Sequence, residues 1–183
     1  FSGNAVVTGG TLGVTGGAAI LDSTSVQMNG GTFGLNGSTE TIGALFGATG
    51  SVTLGTGGAL TVSPPAASSS TLTAPISGAG SVTLDAPSSA TWTLNGTSTY
   101  TGATVVVGGT LKLSGAFTNN IANSSTIDLQ TDATRKLDVT GLTAGTLVLA
   151  NGQTLKGNGQ VVGKLTASAG SSIAPGASPG ILT

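Results

Sequence analysis

Apolar and polar residues alternate along this chain in short runs separated by glycine-rich breaks. The first runs are Ala5-Val6-Val7-Thr8, Thr11 to Val14, Ala19-Ile20-Leu21, Val26-Gln27-Met28, Thr32 to Leu35 and Thr41 to Phe46. A period of two puts successive side chains on opposite faces of an extended strand. No stretch keeps a 3.6-residue period long enough to predict a helix. The pattern continues through Val52-Thr53-Leu54, Leu60-Thr61-Val62, Leu72 to Ile76, Ser81-Val82-Thr83-Leu84, Thr126 to Leu129 and Lys136-Leu137-Asp138-Val139. Asn29-Gly30 and Asn36-Gly37 predict tight turns, because Asn and Gly tolerate positive φ.

One phrase recurs: two small residues, then Thr-Leu, then any residue and another apolar position. It reads Gly9-Gly10-Thr11-Leu12, Gly30-Gly31-Thr32-Phe33 and Gly108-Gly109-Thr110-Leu111, with looser copies at Gly57-Gly58-Ala59-Leu60, Ala144-Gly145-Thr146-Leu147 and Gly170-Ser171-Ser172-Ile173. The first three sites along the chain lie roughly 20 to 27 residues apart, which is a solenoid period. A unit of that length cannot bury enough apolar surface to fold alone, but stacked units share ladders and interior contacts. The predicted fold is therefore all-β: a single parallel β-helix, or β-solenoid, of about eight to nine rungs spanning residues 1–183. A β-sandwich also suits regular short strands, but it has no need of a repeated Gly-Gly-Thr-Leu phrase. Two segments, 63–70 with Pro64 and Pro65 and 85–89 with Pro87, predict loop excursions, since proline cannot donate to a ladder. The pattern resumes on both sides of each, so neither marks a domain boundary.

Composition narrows the chemistry. Charged residues are 6% of the chain and hydrophobic residues 38%, a balance that argues against disorder. There is no Cys and no His, which excludes a disulfide framework and any thiolate or imidazole chemistry. The net charge of −1 offers no basic footprint for nucleic acid. No apolar run approaches the ~20 residues of a membrane span, and no cofactor motif is present: Gly157-x-Gly159 lacks the helix that a dinucleotide site requires.

The segment Leu94-Asn95-Gly96-Thr97-Ser98-Thr99-Tyr100-Thr101-Gly102-Ala103-Thr104-Val105, followed by Gly109-Thr110-Leu111-Lys112-Leu113, resembles the autotransporter-associated β-strand repeat. One full repeat covers about 78–114. The tail from about 152, with Gly157-Asn158-Gly159 and Ile173-Ala174-Pro175-Gly176-Ala177-Ser178-Pro179-Gly180, resembles the segment that often follows such repeats. The resemblance implies a right-handed parallel β-helix in a secreted or surface-exposed bacterial protein, where such repeats form stalks. Unlike an autotransporter, these 183 residues are not expected to include a membrane barrel.

Candidate chemistry is sparse. A sugar-active β-helix needs clustered carboxylates. Of the acids, only Asp128, Asp132 and Asp138 are close in sequence, with Arg135 and Lys136 between them; a solvated polar loop at 130–135 is the favoured reading. Trp92 and Tyr100 are candidates for a sugar-stacking platform, though packing on a strand face and a corner is favoured. The first charged side chain is Asp22 and the last is Lys164, so the outer parts of the chain carry no visible polar cap. Bare terminal rungs expose unpaired backbone. The expected function is thus non-enzymatic: an extracellular solenoid subunit that stacks head to tail into a filament. The alternative is an adhesin or passenger stalk with a surface or glycan partner, and a polysaccharide-active enzyme comes third.

Overall fold

The computed structural model describes residues 3–176. The chain forms a β-solenoid of about eight turns. Each turn is a rung with three faces, and every strand pairing among the described residues is parallel. The first face carries Ala5–Val7, the start of Val26–Gly34, the start of Leu45–Thr53, Ser69–Leu72, Thr91–Leu94, Thr110–Ser114, Lys136–Gly141 and Gln160–Val162 in spatial order. The third face runs from Thr39–Ile42 through Ala59–Val62, Ser81–Leu84, Thr104–Val106, Thr126–Asp128 and Thr154–Gly157 to Ser172–Pro175. The second face lies between them. It begins with Thr11–Gly13 beside the far half of Val26–Gly34 and ends with Thr146–Leu149 beside Lys164–Ala167.

The alternation in the sequence produces the core directly. Strand after strand has one buried residue for each partly exposed neighbour, as in Ala59–Val62, Ser81–Leu84 and Thr91–Leu94. The register holds like positions in columns. Leu60, Val82, Thr104, Ile127 and Leu155 stack along the third face, and Trp92, Leu111, Leu137 and Val161 along the first. A buried Leu or Ile contributes roughly 1.5–3 kcal/mol, and the columns join into one continuous cluster from Ala5 to Leu155.

Four details differ from the sequence expectation. The Gly-Gly-Thr-Leu phrase does not occupy one place in the rung. Gly9-Gly10 and Gly30-Gly31 turn from the first face to the second, Gly57-Gly58 from the second to the third, and Gly108-Gly109 from the third to the first. The phrase marks a corner followed by a strand, wherever the corner falls. Second, 63–70 and 85–89 are not excursions from the stack. They make the corner between the third and first faces on successive rungs, Pro64 and Ala86 are buried there, and Ala67 N–H donates to Ser89 Oγ at 3.0 Å. Ser69 and Ser70 already belong to the next strand. Third, Thr41 to Phe46 is broken at Gly43, where an added Cβ would lie 2.8 Å from the Ser23 carbonyl oxygen; the corner allows no side chain. Fourth, Ala19-Ile20-Leu21 is not a strand, for a reason given by Glu40.

Candidate functional site

Glu40 sits at a core-facing position of Thr39–Ile42 and is 1% exposed. Its Oε2 accepts the Ala19 N–H at 3.0 Å and its Oε1 the Ile20 N–H at 2.7 Å. The carboxylate thus takes the place of a ladder, and the first rung crosses the third face as a bent segment held by a side chain. The signal available in the sequence was a lone acid at an inward position of an alternating run.

The aspartates are not brought into one site. Asp128 lies on the third face, where its Oδ2 is 3.1 Å from Lys156 Nζ. Asp138 lies on the first face, 3.4 Å from Lys112 Nζ. Asp132 lies in the corner between them. Each carboxylate makes a local turn instead. Asp128 Oδ1 accepts Gln130 N–H, Asp132 Oδ1 accepts Thr134 N–H and Oγ1–H, and Asp138 Oδ1 accepts Thr140 N–H and Oγ1–H. This reach to the backbone two residues on is the ordinary turn chemistry of Asp. The N–H and hydroxyl of Thr134 hold the exposed Asp132 carboxyl below its usual range. At Asp138 partial burial pushes upward, but the Thr140 hydroxyl and N–H together with Lys112 outweigh it, and the net displacement is downward. Arg135 Nε donates to the Val107 carbonyl, and Lys136 is exposed at the start of its strand. No group of three or more His, Cys, Asp or Glu capable of holding a metal occurs among the described residues.

The aromatic pair is interior. Trp92 is 0% and Tyr100 1% exposed, so neither ring is available to stack on a sugar. Trp92 Nε1 donates to the Leu45 carbonyl at 2.8 Å. Tyr100 closes a corner with its hydroxyl 2.6 Å from Thr104 Oγ1, which is 2.8 Å from Ser124 Oγ. Ser124 in turn donates to the carbonyls of Gly102 and Thr126. Thr104 is the polar member of an otherwise apolar column, and this relay satisfies it. Burial drives the Tyr100 phenol far above its ordinary value; hydrogen bonds to Thr104 and Ser124 oppose that only in part.

The remaining candidates are the end rungs. Ala5–Val7 and Thr11–Gly13 both pair with Val26–Gly34 and, among the described residues, with no strand on their other side. At the opposite end Gln160–Val162, Lys164–Ala167 and Ser172–Pro175 each have one strand neighbour among the described residues. Among the described residues, both ends therefore present unpaired strand edges that face outward along the stack axis. Val6 is 51% exposed at one end; Val162 and Ile173 are 39% and 41% exposed at the other. Inner positions that are closed one rung earlier, at Leu147 and Leu155, open at Leu165 and Ile173. The tail phrase Ala177-Ser178-Pro179-Gly180 lies outside the described residues. No helix among the described residues is long and apolar enough to cross a membrane.

No protein-family model, no curated protein and no solved structure matches this chain.

Proposed function

We propose that the chain is a non-enzymatic structural protein of the bacterial exterior, whose solenoid subunits stack head to tail into a filament. The observation that carries this reading is the pair of open parallel edges, one at each end of one continuous stack. Such edges template further strands, and contacts between unlike ends propagate instead of closing. The columns also match. Val161 ends the inner column that runs up from Trp92, and the rung register places Ala5 at the other end of the same face. Val162 and Val6 are the outward neighbours of those two residues, and Leu165 and Leu12 are the half-buried apolar positions of the second face. A copy continuing the register thus sets Val6 beside Val162. The Cys-free, sparsely charged composition and the repeat resemblance at 78–114 support an exported setting.

A second reading is favoured by that same resemblance: the segment is part of an adhesin or passenger stalk, and further rungs of one longer chain continue the edges. A cysteine pair separates the two. The chain has no Cys, and strands about 4.8 Å apart bring paired Cα atoms within disulfide range. The double variant Val6→Cys/Val162→Cys should yield a ladder of covalent oligomers on oxidation, whereas either single variant stops at dimers. A double variant that stays monomeric on a non-reducing gel rules out head-to-tail stacking in this register.

A further inference from the structure

Between the third and fourth rungs the first face parts. Ser69–Leu72 meets Leu45–Thr53 there through the single pair Gly47 and Leu72, while its other neighbour, Thr91–Leu94, is joined to it at four positions. Two features of the sequence hold the gap open. The corner with Pro64 and Pro65 leads into the strand, and Ser70 occupies the core-facing register position that Trp92 fills one rung on. With so small a residue in between, the Trp92 indole reaches past that rung to the Leu45 carbonyl.

A cavity of about 530 Å³ lies against this gap, within the range of small-molecule sites. Phe46, on the outer side of its strand and partly exposed, forms one wall, and Pro65 lies in another. Hydroxyls surround them, from Ser25, Ser69, Thr71 and Thr73. Ser70 also lines the cavity, and its Oγ is buried without a hydrogen-bond partner. No charged residue lines the cavity. This wall offers an ionic ligand no counter-charge, and a wholly apolar ligand would leave the hydroxyls unpaired on desolvation. A ligand with one apolar face and a rim of neutral hydroxyls matches both features. We propose that the groove binds one or two pyranose units of a neutral saccharide, with the C–H face of a ring on Phe46 and its hydroxyls on the Ser and Thr side chains.

The site does not depend on filament formation and can be tested on the chain as it is. Cellobiose, maltose, lactose and mannobiose are titrated into the protein, with glucuronic acid as a charged comparison. Calorimetry reads binding, and the emission of Trp92, the chain's single tryptophan, reports from the back of the gap. Saturable binding of at least one neutral disaccharide is expected. Phe46→Ala should weaken it about tenfold or more, the loss of one aromatic contact. Ser69→Phe, which fills the groove from an exposed position, should abolish it while the thermal midpoint stays near that of the parent. The proposal is overturned if none of the four sugars binds saturably, if both variants bind as the parent does, or if glucuronic acid binds in preference.

Discussion

Single side chains complete this stack where the backbone ladder does not. Glu40 is the clearest case, since its two oxygens receive consecutive N–H groups of a rung that has no strand there. Hydrogen bonds to a charged group contribute about 1.5–3 kcal/mol each. Losing both in Glu40→Ala should therefore lower stability by about 3–6 kcal/mol in chemical denaturation and raise hydrogen exchange at Ala19 and Ile20 before that of the central rungs. Tyr100 gives a second residue-scale prediction. It is the single tyrosine of the chain, and burial holds its phenol well above the ordinary value of about 10. The native state favours the protonated form, so this contribution is intact below the unfolded pKa and is lost as pH rises toward the folded one. Absorbance at 295 nm should show no tyrosinate in the native protein through pH 11, followed by ionisation together with unfolding. A reversible native titration near pH 10 would contradict the buried relay to Thr104 and Ser124. Neither role was legible as such. Glu40 and Thr104 share the inward parity of Ile42 and Val106 in their alternating runs, but only the stacked structure shows which groups of the neighbouring rungs they meet.

At the scale of elements, alternation was the strongest signal in the chain and corners the weakest. Strands such as Ser81–Leu84 lie where the period-two pattern puts them, because every inward position meets a column of neighbours above and below. Corners depend instead on how closely one backbone crosses the next, which a single sequence shows only as small residues. That is why Gly-Gly-Thr-Leu looked like one repeated position and proved to be three kinds of corner. Gly50 illustrates the constraint: φ is +94°, and an added Cβ would lie 2.6 Å from the Gly31 carbonyl oxygen on the rung below. Gly50→Ala should cost at least the ~1–2 kcal/mol of a left-handed alanine, with the clash in addition, and thermal denaturation reads it directly. Asp132 and Asp138 are close to Asp128 in sequence, which made a shared site one candidate beside the favoured solvated loop; the triangular rung carries Asp128 and Asp138 to different faces. The ion pairs they make with lysine are partly exposed, and such pairs typically contribute about 0–1 kcal/mol.

Among the described residues the whole molecule is one stack with an unpaired strand edge at each end. Its length and fold class followed from the approximate repeat, because only a stack of neighbours can satisfy units of this size. The proposed head-to-tail contact was less legible, since it would depend on the match between two edges distant in sequence. In the proposed contact long-range electrostatics would have little part: charged residues are 6% of the chain and the net charge is −1. Filaments held by strand edges and apolar columns should therefore persist as ionic strength rises, because screening acts on exposed charges and leaves these contacts in place. Electron microscopy of the purified chain, with axial repeats taken from the images, tests head-to-tail stacking most directly. Eight rungs at about 4.8 Å predict unbranched filaments with an axial subunit repeat of roughly 38 Å. A chain that remains monomeric at high concentration, with no filaments on the grid, contradicts the assembly and leaves the stalk reading in its place.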